Sequence, residues 1–169
     1  MAETEEAKAL IAQGRYKEAG AALDRTLISL RDDDEAWYLR GVVFLKLKNY
    51  DGAQECFERA LILGRKSRYY QIKGMAHFEL FEMNEAAEAF RNALAIEPED
   101  ATTNFFLAMS YLFLDDPRSD DHLKRANGLN SKKTRALLMN FFTLFIKDDP
   151  RISAAQKSKI EERMKAIRG

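Results

Sequence analysis

Side chains able to carry out acid–base or nucleophilic chemistry are few in this sequence. It holds two histidines, His77 and His122, and one cysteine, Cys56. Phe44 and Tyr111 stand at nearly equal intervals before and after His77, so we expect a histidine packed in the core rather than a general base. A single cysteine forms no internal disulfide, and no nucleophile motif surrounds it. We therefore predict that the chain is not an enzyme and that it uses no cofactor.

Two acidic pairs invite a metal or an acid–base interpretation. The motif Asp115-Asp116-Pro117-Arg118 recurs later in the chain as Asp148-Asp149-Pro150-Arg151. In each copy the acids precede a proline at the start of a predicted helix, where carboxylates complement the positive end of the helix dipole. Charge complementarity at a helix start is therefore the better explanation, and we predict no metal site.

The recurrence of this motif belongs to a longer pattern, in which similar side chains return with a period of about 34 residues. The two clearest copies span residues 34–66 and 67–100. Each copy holds two blocks with apolar residues at helical spacing, joined by a short polar or glycine-bearing turn. Neither helix of such a hairpin can bury its apolar stripe alone, so neighbouring hairpins must stack. The sequence therefore predicts an all-α stack of helical hairpins.

Small residues recur at fixed places and suggest how the hairpins stay close. Gly41 and Gly74 each interrupt a first helix, where glycine costs about 1 kcal/mol relative to alanine. This cost is understandable if a Cβ there would block the approach of the second helix. We expect Phe57 and Phe90 to fill the gap between successive units, and Pro98 to end a second helix.

The recurring residues closely resemble the tetratricopeptide repeat (TPR) pattern. The second copy holds Trp37, Gly41, Phe44, Tyr50, Ala53, Phe57 and Ala60, and the third holds Tyr70, Gly74, His77, Met83, Ala86, Phe90, Ala93 and Pro98. The resemblance extends more weakly over residues 1–33 and 101–133, and residues 134–168 form a degenerate copy. It implies a right-handed α-solenoid of about five hairpins in a single domain, 1–169, with the last hairpin as a cap.

The last repeat contains the most apolar segment of the chain, Ala136–Ile146. A helix that is hydrophobic on nearly every face is usually buried on several sides, so we expect this one to lie between the fourth repeat and a final helix, Arg151–Ile167. The segment is about half the ~20 residues needed to span a bilayer, and a membrane-surface role would require a basic polar face. The final helix carries a thin apolar stripe of Ile152, Ala155, Ile160, Met164 and Ile167.

The resemblance also implies that the first helix of each repeat lines a concave groove that binds another protein. The predicted peptide contacts at groove positions are Tyr38, Val42, Gln71, Met75, Phe78, Phe105, Met109 and Leu112. This largely apolar wall lacks the charged donors that a clamp for carboxylates requires. Three alternatives stay open: a partner's apolar or amphipathic peptide, a second copy of the chain, or internal cover by tight curvature or by the Leu137–Ile146 helix.

Charge narrows the classes of partner. The 27 basic and 27 acidic residues cancel, which disfavours nucleic acid as a partner. The start of the chain lacks the features of a signal peptide, so we expect a cytoplasmic protein. The predicted function is a non-catalytic interaction scaffold, adaptor or chaperone. The alternative is a homo-oligomer that assembles through the groove or through its charged ends, because residues 1–36 are acidic and residues 131–169 are basic.

Overall fold

The computed structural model describes the backbone from Ala2 to Arg168, and all side chains in that range except those of Ala2, Glu3, Leu144, Ile167 and Arg168. The predicted apolar contribution of Ile167 therefore lies outside the described residues. Within that range the chain is all-α, with ten α-helices, one π-helical segment and no strand.

The helices follow one another as the repeat pattern predicts. Their bounds are α1 Ala2–Ala12, α2 Tyr16–Ser29, α3 Asp34–Lys46, α4 Tyr50–Leu63, α5 Ser67–Glu79, α6 Met83–Ile96, α7 Ala101–Phe113, α8 Arg118–Leu129, α9 Ser131–Phe141, the π-helical segment Phe142–Ile146, and α10 Ala154–Arg168. Contacts within the chain divide it into two compact units, Met1–Ile96 and Glu97–Gly169. The first unit holds three hairpins, and the second holds a fourth hairpin followed by α9, the π-helical segment and α10.

Each of the first four hairpins turns at a residue with left-handed backbone conformation. These residues are Gly14, Lys48, Phe81 and Asp115, with φ of 74°, 60°, 66° and 54°. In all four turns the left-handed residue's N–H bonds to the carbonyl three residues back and the next N–H to the carbonyl five back, with N···O distances of 2.8–3.3 Å. This is the Schellman helix ending. The short turns predicted between the two helices of a hairpin are therefore confirmed, and three of the four turns form without glycine.

The prediction that glycine makes room for the second helix is also confirmed. A Cβ added to Gly74 would lie 2.6 Å from Cε1 of Phe90, and one added to Gly41 would overlap the ring of Phe57 in the same way. Both rings are buried, with at most 1% of their surface exposed. The two glycines therefore allow two large aromatic rings into the interior of the first unit.

The outer repeats solve the same packing problem with a different pair of residues. The equivalent positions hold Ala7 with Leu23 in the first repeat and Ala108 with Leu123 in the fourth. All four side chains are buried, and the largest exposed fraction among them is 5%. Compared with the glycine–phenylalanine pairs of the middle repeats, the outer repeats have a larger residue, alanine, on the first helix and a smaller residue, leucine, on the second.

The last repeat departs from the predicted hairpin. Its final helix is expected over Arg151–Ile167, but in the structure this helix, α10, begins only at Ala154. Its start is set by a capping box, in which Ser153 Oγ accepts from the N–H of Gln156 at 3.2 Å and Gln156 Oε1 accepts from the N–H of Ser153 at 3.0 Å. Such reciprocal bonds satisfy two N–H groups at a helix start.

The acidic motifs therefore have different surroundings. Asp116 accepts a hydrogen bond from the backbone N–H of Arg118, the first residue of α8, at 2.9 Å, so in the fourth repeat the carboxylate does lie at the positive end of a helix. Asp149 bonds to Arg151 with the same geometry, 2.8 Å to its N–H. No helix starts there, because α10 begins only at Ala154, so the prediction of charge complementarity at a helix start is wrong for the second copy.

The π-helical segment accommodates one additional residue in the last repeat. When Phe113-Leu114-Asp115 is aligned with Phe145-Ile146-Lys147-Asp148, Lys147 is the additional residue. Its N–H donates to the carbonyl of Phe142, five residues back, at 2.9 Å. A π turn takes in one residue more than an α turn, which explains why the helix widens here.

Candidate protein-binding face

In the first unit, helices α1, α3 and α5 lie side by side and form one surface, which we call the first-helix face. Glu35, Tyr38 and Val42 follow one another along α3 at intervals of three and four residues, so their side chains share one side of the helix. Arg68, Gln71 and Met75 repeat these intervals along α5. The two helices thus present two parallel stripes.

Ion pairs link the three helices at one end of the first-helix face. Glu35 Oε1 lies 3.5 Å from Lys8 Nζ, and its other oxygen pairs with Arg68. The Tyr69 hydroxyl lies 2.8 Å from Asp34 Oδ2 and 3.2 Å from Glu35 Oε2. The sequence did not predict this network, although Glu35 and Arg68 stand at the same place in successive repeats.

The carboxylate of Asp34 is held in its charged form by this network. Burial alone would raise the pKa of Asp34, but hydrogen bonds from Lys66 and Tyr69 hold that pKa below its ordinary value. The Lys66 Nζ to Asp34 Oδ2 distance is 2.6 Å. The Asp34 carboxylate therefore stays ionised near neutral pH and supplies a fixed charge beside the face.

Tyr38 is the aromatic centre of the face. Its ring stacks on Tyr69, with centroids 4.9 Å apart and planes at 26°, and the Arg68 guanidinium lies 5.4 Å from its centroid. The ring also packs against the apolar clusters on both sides of α3. Burial raises the pKa of Tyr38 above its ordinary value. Tyr38 is thus a rigid, half-buried platform rather than a freely moving side chain.

The eight predicted contacts fall into two groups by exposure. The partly exposed ones, all in the first unit, are Tyr38, Val42, Gln71 and Met75. The buried ones, with exposed fractions of 7%, 0%, 1% and 7%, are Phe78, Phe105, Met109 and Leu112. A buried side chain reaches a ligand only if its neighbours move, so the first group is the accessible part of the predicted site.

In the second unit, α9 covers the side of α7 that was predicted to line the groove. The Phe141 ring packs edge-on against Phe105, with centroids 5.9 Å apart, and lies 6.4 Å from Phe113. Of the three alternatives for the groove, internal cover by the 137–146 helix is therefore the one found in this unit. Phe105, like Met109, belongs to its packed interior.

The apolar segment itself is buried on some sides and exposed on one. Leu138, Phe141 and Ile146 are at most 3% exposed, as predicted. Met139 and Phe145, however, are 43% and 48% exposed. The segment therefore carries an apolar surface as well as core contacts.

The candidate chemical groups are packed into the structure. His77 is 8% exposed, and its Nδ1 lies 2.7 Å from Glu82 Oε2. Burial raises the pKa of the Cys56 thiol to about 11, which keeps it protonated and unreactive at neutral pH. Within residues 2–168 as described, no group of three or more His, Cys, Asp or Glu residues could hold a metal ion. Nor does that part of the chain contain a helix long and apolar enough to cross a membrane.

An open groove of about 960 Å³ lies between the second helices α2 and α4 of the first unit. Ile28 and Ile62 stand at its rim, at the same place in successive repeats, and are 77% and 75% exposed. Single exposed aliphatic residues are common on protein surfaces. Ile62 is therefore a suitable position for a control substitution, because it is exposed and apolar but does not lie on the first-helix face.

A row of first helices with an accessible apolar stripe, backed by second helices, defines a helical-repeat scaffold for protein–protein interaction. The chain belongs to the tetratricopeptide repeat family, whose repeat profiles match residues 4–70 and 67–100, together more than half of the chain. Repeats of this family are generally non-catalytic interaction modules.

Several solved structures share the fold. MamA (residues 41 to the end) from Desulfovibrio magneticus RS-1 is 20% identical, with a TM-score of 0.69 over 97% of this chain and 94% of that chain. Another MamA crystal structure is 14% identical, with a TM-score of 0.71 over 96% and 94% of the two chains. YrrB, described as a TPR protein with an unusual peptide-binding site, is 16% identical, with a TM-score of 0.69 over 98% and 84%.

The structural similarity to these proteins confirms the predicted all-α helical-repeat fold of the α-solenoid class. At such low sequence identities the similarity shows the fold alone. Among curated protein sequences, none matches the chain significantly.

Proposed function

We propose that this protein is a non-catalytic adaptor, assembly factor or chaperone whose first-helix face binds an apolar or amphipathic peptide or helix of another protein. The observation that carries this proposal is the stripe of partly exposed side chains formed by Tyr38, Val42, Gln71 and Met75. In a family of interaction modules, an accessible apolar stripe on the first helices is the expected place for a ligand.

The surroundings of the stripe suggest an amphipathic ligand. Glu35 and its basic partners lie at one end of the first helices. At the other end Lys48 Nζ lies 2.7 Å from Glu79 Oε2, which also accepts from the Tyr50 hydroxyl at 3.2 Å. Apolar side chains of a ligand helix would contact the stripe, and its polar side chains would lie near these ion pairs. The flexible Met75 allows the apolar contact to adapt to different side chains.

A displayed library of random peptides, selected on the full chain, tests this proposal. Selected peptides should carry apolar residues at helical spacing and should lose at least about tenfold in affinity for Met75→Glu, because the new carboxylate would stand inside an apolar contact. The matched control is Ile62→Glu, which adds the same charge to an exposed apolar position between α2 and α4. Loss of binding with the control but not with Met75→Glu would reject the first-helix face as the site.

Self-assembly is the second candidate, and the uneven charge favours it. Residues 1–36 carry nine acidic and five basic side chains, whereas residues 131–169 carry four acidic and ten basic ones. Attraction between exposed charges is screened by salt. Light scattering over a concentration series should then show an oligomer that dissociates at high ionic strength. A monomer at every concentration and salt level would exclude this candidate.

A further inference from the structure

The last helix, α10, is held to the second unit by few side chains. Among its described residues only Ile160 and Met164 are buried, with 0% and 9% of their surface exposed. They stand four residues apart, so they share one side of the helix, and α10 packs against α9 and the π-helical segment. Helix α10 is therefore an amphipathic helix seated on an apolar surface.

Two ion pairs accompany this apolar contact. Lys159 pairs with Asp115, and Arg163 pairs with Asp120. The two basic residues are also four residues apart, and each directly precedes a buried apolar residue. The four side chains are between 37% and 68% exposed, so the pairs add little stability but favour a helix with this charge pattern.

An open groove of about 330 Å³ lies beside these ion pairs, between α10 and the turn that joins α7 to α8. It is lined by Leu112, Pro117 and Ser119 on one side and by Lys159 and Arg163 on the other. The side chains of α10 therefore do not fill the space beside this turn.

The segment against which α10 packs also carries exposed apolar side chains. Leu138, Phe141 and Ile146 are buried, whereas Met139 and Phe145 of the same continuous helix are 43% and 48% exposed. An exposed methionine and an exposed phenylalanine on the segment that α10 contacts enlarge the apolar area available to a ligand. A longer or more apolar helix could cover more of this surface than α10 does.

We propose that α9 and the π-helical segment form a second helix-binding face, that α10 is its built-in competitor, and that a partner's amphipathic helix replaces α10 there. The chemistry of that partner follows from the residues with which α10 binds. The partner's helix carries two apolar side chains four residues apart, and each is preceded by a basic residue that pairs with Asp115 or Asp120. This face lies within the second unit and is independent of the ligand proposed for the first-helix face.

The probe for this proposal is a fluorescent synthetic peptide with the sequence of residues 153–168, titrated into the full-length chain and followed by anisotropy. The variant Lys159→Glu/Arg163→Glu reverses the charges that hold α10 and leaves the face intact. We expect it to bind the peptide at least about tenfold more tightly than the wild type, because the internal competitor is weakened. The control Lys132→Glu/Lys165→Glu makes the same change in net charge at two exposed lysines and should bind like the wild type.

A further variant tests the charge pattern itself. The variant Asp115→Lys/Asp120→Lys, with α10 unchanged, should also release α10 through charge repulsion. It should bind the wild-type peptide no better than the wild-type chain does, and it should bind more tightly a peptide with both basic residues changed to glutamate. If circular dichroism shows that the charge-reversed chain is unfolded, the peptide affinity of the single variant Lys159→Glu is compared with that of the wild type instead, and we expect the variant to bind more tightly.

Three results would overturn the proposal. One is equal peptide affinity in the wild type and the charge-reversed variant while hydrogen exchange shows α10 released. Another is unchanged protection of α10 in that variant, which would mean that the ion pairs do not hold the helix. The third is a dimer in which α10 has been exchanged between copies, because a second copy would then be the natural occupant.

Discussion

The first and second units use the same hairpin turn but treat equivalent side chains in opposite ways. Met75 and Met109 occupy the same position in the third and fourth repeats. The first is partly exposed, whereas the second is 1% exposed, in a unit where α9 packs against α7. The repeat pattern thus identifies the side of the helix on which a residue lies. It does not determine whether that side is exposed or part of the core.

The largest expected effect compares Phe105 with Gln71, which occupy equivalent positions in the two units. Phe105→Glu removes a fully buried ring and buries a charge, so it should lower the free energy of unfolding by more than about 3–5 kcal/mol. Gln71→Glu changes a partly exposed side chain and should stay within about 1 kcal/mol of the wild type. Urea denaturation followed by far-ultraviolet circular dichroism measures both. A Phe105→Glu chain of near wild-type stability would mean that the second unit is as open as the first.

A smaller effect concerns the two packing pairs, Gly74 with Phe90 and Ala108 with Leu123. Gly74→Ala forces a Cβ against the Phe90 ring and should cost about 1–3 kcal/mol. Phe90→Leu alone should cost about 1–2 kcal/mol by leaving a small void. The double variant recreates the alanine–leucine pair of the outer repeats, so it should cost less than the sum by about 1 kcal/mol. Strict additivity in this cycle would show that the two pairs are not alternative solutions to one packing problem.

The smallest stability effect compares two glycines whose added Cβ would meet no atom within 4 Å, Gly14 and Gly128. Gly14 has a φ of 74°, so Gly14→Ala should destabilise the protein by about 1 kcal/mol. Gly128 lies within α8, and Gly128→Ala should stabilise it by about 0.5–1 kcal/mol through helix propensity. The midpoints of thermal unfolding should move in opposite directions. A shift in the same direction would contradict the turn geometry assigned to the first hairpin.

The features that could be predicted from the sequence are those that repeat. The role of Gly41 followed from the cost of glycine in a helix, and the stacked hairpins followed from the period of about 34 residues. The exposure of groove positions could not be predicted, because Phe105 is buried by Phe141, a residue of the degenerate last repeat. The sequence prediction starts α10 too early, because Pro150 resembles the first residue of a helix, whereas the helix begins after the capping box formed by Ser153 and Gln156.

Thiol accessibility at the two equivalent methionines tests the difference between the units most directly. In a Cys56→Ala background, Met75→Cys and Met109→Cys each introduce one thiol at the same repeat position, and maleimide labelling under native conditions measures their accessibility. We predict that the thiol at position 75 reacts at least about tenfold faster, because a side chain as buried as Met109 becomes accessible only through local opening of the structure. Equal rates in two folded variants would contradict the conclusion that this side of the first helices is accessible in the first unit and buried in the second.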